Sequence, residues 1–154
     1  MPKSKKFCAY YRSPLGWLRI EGAGPSLHSL EFVPKKARGL ATALPAKVAR
    51  ELGEYFRGKR KKFSLRLKPQ GTAFQQRVWK SLQKISHGRK ISYSQVAARI
   101  GRQKSVRAVA NAIGQNRLAI LIPCHRVIGS DGSLTGYAYG LRKKAWLLGH
   151  EIGL

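Results

Sequence analysis

Apolar and polar positions alternate along the first part of the chain. Cys8-Ala-Tyr-Tyr and Trp17-Leu-Arg-Ile flank a Ser13-Pro14-Leu15-Gly16 turn, and Leu27 to Val33 alternates in part. That pattern predicts three strands, with a tight turn between the first two. From Pro45 the period lengthens, and Val48, Leu52, Tyr55 and Phe56 recur at helical spacing until Gly58. Lys59-Arg60-Lys61-Lys62 makes a basic corner, and Phe63-Ser-Leu-Arg-Leu alternates as one further strand. Pattern and composition change at Lys68-Pro69-Gln70-Gly71. A boundary is expected there, between an α/β domain at residues 1–68 and a second domain at 69–154.

The second part is mainly helical. Phe74, Val78, Leu82 and Ile85 share one face of a helix predicted from Ala73 to Ile85, with Trp79 packed in the core. Ser92-Tyr93-Ser94-Gln95 matches a capping box, so a short helix is expected over Gln95–Ile100, stopping at Gly101. Ser105 is placed to cap a helix over Val106–Ile113, whose buried stripe is Val106, Val109, Ala110 and Ile113. Two short helices joined by a brief glycine-containing turn suggest a helix-turn-helix. Arg107 would sit off the apolar stripe in the first turn of the second helix, where a recognition helix presents side chains to DNA. Ala108, Ala110 and Ala112 suit either a groove or tight helix packing. Leu118 to Ile122 is continuously apolar and reads as a buried strand ended by Pro123. Gly129-Ser-Asp-Gly132 reads as a turn and Gly136-Tyr-Ala-Tyr-Gly140 as a loop. The last helix, from Leu141 to about His150, is predicted with Leu141, Ala145 and Leu148 inward and Arg142, Lys143 and Lys144 outward. The fold class is therefore α+β: a small strand-rich α/β domain followed by a mainly helical one.

Composition narrows the function. The chain has 154 residues, 43% of them hydrophobic, enough for a core without staples. It has no run of 18 apolar residues, so no membrane span is expected. The basic N-terminus lacks the apolar stretch of a signal peptide, and two cysteines make no disulfide framework; both point to the cytoplasm. Charge changes the picture most. Thirty-one Lys and Arg face six Asp and Glu, a net charge of +25, and no acid lies between Glu54 and Asp131. An anionic lipid surface would tolerate such a chain, but a nucleic acid explains the acid-free stretch more simply.

Cys124 follows the apolar run directly and is next to His125. A free cysteine is most often an inert buried one. A reactive one needs its thiolate stabilised by an imidazole, a basic setting or a helix N-terminus. Adjacent side chains on a straight strand point to opposite faces, so this pair can cooperate only if Pro123 forces a turn.

The residues around it carry a resemblance. Ile122-Pro-Cys-His-Arg-Val-Ile-Gly129, with Asn116 before it and Gly136-Tyr137 after it, resembles the O6-alkylguanine-DNA alkyltransferase family. The likeness extends through Gly71-Thr-Ala-Phe-Gln-Gln-Arg-Val-Trp79, Ile91-Ser-Tyr-Ser94, Arg107-Ala-Val109 and Trp146-Leu-Leu-Gly-His-Glu151. It covers nearly all of residues 70–152, and the N-terminal part only loosely.

The resemblance implies a single-turnover DNA repair protein. It would bind double-stranded DNA from the minor groove with little sequence specificity, act as a monomer without a cofactor, and flip the damaged guanine into a pocket. Cys124 would accept the alkyl group. His125, through a water and held by Glu151, would take the thiol proton, and Asn116 would brace the turn. Tyr93 would donate to the departing guanine and help expel the nucleotide, and Arg107 would fill the space it leaves. Val127, Tyr137, Ala138, Tyr139 and Gly140 would form the pocket, with Ser94, Arg102 and Ser130 on phosphates. Two departures matter. Tyr139 stands where most of the family has glycine, which places bulky adducts in doubt. His28 matches one ligand of the zinc site some members carry, but Cys8 is out of register, so no metal is expected. The rival readings are a DNA-binding regulator, a damage sensor (these lack the acceptor cysteine) and, more remotely, a cysteine peptidase.

Overall fold

In a computed structural model, which describes residues 5–37, 39 and 41–154, the chain divides into two compact units, 1–69 and 70–154. In the first, strands β1 (Lys6–Ser13), β2 (Gly16–Ala23) and β3 (Ser26–Val33) form an antiparallel meander. Ser13 makes the first turn, its hydroxyl donating to the Gly16 carbonyl at 2.7 Å and accepting from Leu15 N at 3.1 Å. Gly22 is required at the β2–β3 irregularity, because a Cβ there would lie 2.2 Å from the Ser26 carbonyl oxygen. Only Arg66–Leu67 of the predicted fourth strand pairs, as β4, parallel to β3.

Helix α1 (Ala46–Phe56) buries Val48, Leu52 and Tyr55, as its period predicted, whereas Phe56 is only half-buried. On the same helix Glu51 is fully buried and accepts from Ser64 N at 2.8 Å and Ser64 Oγ at 2.5 Å. Burial opposes its charge, but those bonds and the Arg60 guanidinium outweigh that and hold its carboxyl below the usual range.

The second unit is built on α2 (Ala73–Leu82), α3 (Tyr93–Arg99), α4 (Val106–Gly114) and α5 (Leu141–Glu151). Strands β5 (Ile91–Ser92) and β6 (Val127–Ile128) form a short parallel pair. Trp79 is core, 2% exposed, with its indole N–H donating to the Ala112 carbonyl at 2.8 Å; this ties α2 to α4. The Ser92–Gln95 capping box is present at the start of α3, which begins two residues earlier than expected, and Gly101 takes the left-handed conformation after it.

Five expectations need correction. Helix α2 ends at Leu82, and Ile85, still buried, is carried by a tight turn. Ser105 precedes α4 but makes no side-chain cap, because a 3₁₀ turn over Gln103–Ser105 leads directly into the helix. In the α4 stripe only Val109 and Ile113 are buried, joined by Ala112, while Val106 and Ala110 are half-exposed.

The apolar run Leu118–Ile122 is buried but is no strand. It coils into turns, with Ile122 N bonded to the Leu118 carbonyl and Ile120 at φ +71°. That conformation is costly for a β-branched residue and persists only where its surroundings fix it. Last, Lys144, Leu147 and Glu151 form the buried face of α5, whereas Leu141 and Ala145 are exposed. Spacing alone favours the all-apolar face; the fold instead turns two charged groups inward, and their partners explain why.

Candidate active site

Pro123 leads the chain from the buried turns into a 3₁₀ turn over Cys124–Arg126. Cys124 lies at the floor of a cavity of about 700 Å³. Asn116 sits behind it as a hub. Its Nδ2 donates to the Ile122 carbonyl at 2.9 Å and to Cys124 Sγ at 3.2 Å, while its Oδ1 accepts from Leu118 N at 2.9 Å. One amide thus replaces the ladder bonds this apolar segment lacks and also fixes the sulfur.

His125 does not line the cavity and is 0% exposed. Its Nε2 lies 2.7 Å from Glu151 Oε2. The same carboxylate accepts from Arg126 Nε at 2.8 Å and Nη2 at 2.9 Å, and Arg126 Nη1 donates to the Ile85 carbonyl at 2.6 Å. Burial alone would raise the Glu151 pKa, but His125 and Arg126 hold it far below the ordinary range. His125 is kept neutral chiefly by burial, which outweighs the pull of Glu151. With an ionised partner at Nε2, the proton sits on that nitrogen and Nδ1 carries the free lone pair. Nδ1 is buried and has no hydrogen-bond partner in the protein. Cys124 is 7% exposed, and burial pushes its thiol up against the opposing influence of Asn116 and the Lys144 charge. The resting group is therefore a thiol that needs a base.

The remaining wall comes from distant segments. Tyr93 and Ser94 open α3, Val106, Arg107 and Ala110 face the cavity from α4, and Tyr137, Ala138 and Tyr139 close it. The Tyr137 and Tyr139 rings meet edge to face, 5.5 Å apart. Ser94 Oγ and Ser130 Oγ are 3.2 Å apart. Tyr93 OH donates toward the carbonyls of Thr135, at 2.9 Å, and Gly136, at 3.3 Å.

Most of the predicted site residues are therefore brought together. Val127, Gly140 and Arg102 do not line the cavity: Val127 is buried in β6, Gly140 precedes α5, and Arg102 is exposed ahead of the 3₁₀ turn. Two charged residues at the site escaped sequence reasoning, Arg126 and Lys144, as did the cavity-lining Val106, Ala110 and Thr135. For Arg126 a signal existed. Only two acids, Asp131 and Glu151, follow the acid-free stretch, and Asp131 belongs to a glycine-rich turn.

Known proteins match this chain along most of its length. Residues 73–152 match the DNA binding domain of 6-O-methylguanine DNA methyltransferase, and residues 6–69 match its ribonuclease-like domain. The chain belongs to that family. It is 44% identical to a methylated-DNA–protein-cysteine methyltransferase of Methanosarcina barkeri over 88% of this chain and 90% of that one. A Haemophilus influenzae protein of the same description is 41% identical, over 92% and 84%. Among solved structures, Mycobacterium tuberculosis OGT in complex with DNA is similar at 40% identity and a TM-score of 0.86, covering 94% of this chain and 91% of that one. Within the family frame, the α+β architecture and the cavity over Cys124 fall where a DNA-alkyl acceptor needs them.

Proposed function

We propose that this chain repairs alkylated DNA by moving the alkyl group irreversibly to Cys124, with residues 69–154 as the DNA-binding and acceptor domain and 1–68 as an accompanying α/β domain. The observation that carries this reading is a buried thiol at the floor of an open cavity, beside a neutral imidazole held by an ionised carboxylate. His125 Nδ1 takes the thiol proton, relayed through a water, and Sγ attacks the alkyl carbon of O6-alkylguanine. The S–C bond forms as the C–O bond breaks, and Tyr93 supplies a proton or hydrogen bond to the departing guanine. Asn116 keeps the sulfur and its turn in place. The flipped base lies against Tyr137, Ala138 and Tyr139. Arg107 enters the stack behind it, and Ser94, Arg102 and Ser130 engage phosphates.

The expected partner is double-stranded DNA, approached from the minor groove with little sequence preference by a cytoplasmic monomer that needs no cofactor. Tyr139 restricts the pocket to small alkyl groups. No described helix is long and apolar enough to cross a membrane.

Intact-mass analysis after incubation with O6-methylguanine duplex tests the reaction. One added methyl, on the Cys124 peptide, is expected, and Cys124→Ser should acquire none while still binding DNA. A methyl on Cys8, or continued turnover, overturns the assignment.

A further inference from the structure

Lys144 is a buried charge of the second unit that the chemistry above leaves unused. It is 0% exposed, on the inner face of α5. Burying an ammonium is costly unless it is paired or hydrogen-bonded, so its position requires an explanation. The buried carboxylate of the site, Glu151, is taken by His125 and Arg126. Lys144 is instead held by two carbonyls and a ring. Its Nζ donates to Thr135 O at 2.7 Å and Gly136 O at 3.1 Å, and lies 5.7 Å from the centre of the Tyr93 ring. Those carbonyls are the same two that Tyr93 OH addresses. The packing there is close: a Cβ on Gly136, which stands at φ +58°, would lie 3.2 Å from the Tyr93 oxygen.

Donor arithmetic then separates the two side chains. A phenol has one proton and an ammonium has three. If Tyr93 alone served these carbonyls, turning its proton toward a substrate would strand an acceptor, which is costly. With Lys144 present, neither carbonyl is stranded. We propose that Lys144 is a positioning residue for alkyl transfer, which takes over the Thr135 and Gly136 carbonyls so that the Tyr93 proton is free to follow the departing guanine, and which holds the Tyr137–Tyr139 wall in place. Burial lowers Lys144 only to about 8, so at neutral pH it retains its proton and all three donors.

This inference rests on the proposed role of Tyr93, and a double-mutant cycle separates the two. Single-turnover methyl transfer from O6-methylguanine duplex is measured for wild type, Tyr93→Phe, Lys144→Met and the double variant, with duplex affinity in parallel. Each single variant is expected to slow transfer about tenfold or more, with affinity changed by less than about threefold. The double variant should be at most about threefold slower than the slower single one, because the two side chains act through one proton. Lys144→Arg, which keeps donors and charge, should recover part of the rate. If the Lys144→Met protein does not fold, Lys144→Gln replaces it in the cycle. Fully multiplicative losses, or a Lys144 variant as fast as wild type beside a slow Tyr93→Phe, overturn the inference and leave the proposed function standing. A Tyr93→Phe protein as fast as wild type removes both roles. Absence of methyl transfer in wild type overturns the proposed function itself.

Discussion

At the scale of single residues, Glu151 decides the electrostatics of the site. Its carboxylate holds the imidazole and a bidentate guanidinium, all three side chains almost without solvent contact. Replacing Arg126 by Met leaves a buried carboxylate short of its main partner and should cost roughly 3–5 kcal/mol, read as a lowered denaturant midpoint. The pH dependence follows from the same groups. His125 has a depressed pKa in the fold, so below about 6.5 the unfolded chain takes up a proton that the folded one refuses. Glu151 is also depressed, and its contribution, complete above about 4.3, is lost as pH falls further. Both act in one direction. The melting temperature should decline from about pH 6.5 downward, more gently in Arg126→Met, and a flat profile across that range contradicts the assignment. A second residue-scale expectation concerns Tyr139, whose ring stands on the cavity wall against Tyr137. Tyr139→Gly should speed transfer from a benzyl-type adduct far more than from the methyl adduct. Equal effects on both would mean that Tyr139 does not set adduct size.

Among elements, α4 carries the clearest expectation. Arg107 is exposed on its first turn and also borders the cavity that holds Cys124. Extruding a base costs a few kcal/mol of stacking and pairing, which an inserted side chain can offset. Arg107→Ala should slow transfer from duplex DNA much more than transfer from a free guanine analogue, which needs no extrusion. Arg107→Lys should recover little, because a planar guanidinium stacks and an ammonium does not. Identical modest losses for Arg107→Ala and for an alanine in the Lys59–Lys62 corner would reduce Arg107 to one more positive charge.

The same scale shows what was legible in the chain. Strands β1 to β3, helix α1 and the capping box of α3 follow from period and turn chemistry, since each is dictated by neighbours in sequence. Cys124, His125 and their surroundings were legible through the Pro-Cys-His-Arg motif. The misassigned elements were decided by distant groups. Leu118–Ile122 reads as a strand until Asn116 supplies the bonds that a ladder would have made. Helix α5 reads with its lysine outward until the Thr135 and Gly136 carbonyls give the ammonium somewhere to bind. A hydropathy pattern holds no record of such partners.

For the whole molecule, the net charge of +25 is the dominant property. The acids do little to moderate it outside. Glu21 and Glu31 pair with Arg19, Glu51 and Glu54 with Arg60, Glu151 is buried, and Asp131 is exposed and bonded to Ser133. The field that a polyanion meets is therefore largely cationic. The logarithm of duplex affinity should fall linearly with the logarithm of salt concentration, by about 0.9 per phosphate neutralised, with little dependence on sequence. Titrations against unrelated duplexes across a salt series would measure both, and strong selectivity for one operator sequence would favour a regulator instead. The Glu151 carboxylate has one more consequence. It closes α5, yet it anchors the two residues that follow Cys124 in the chain. Unwinding the last turn of α5 would therefore unseat the imidazole next to the thiol without breaking a bond within α3 or α4.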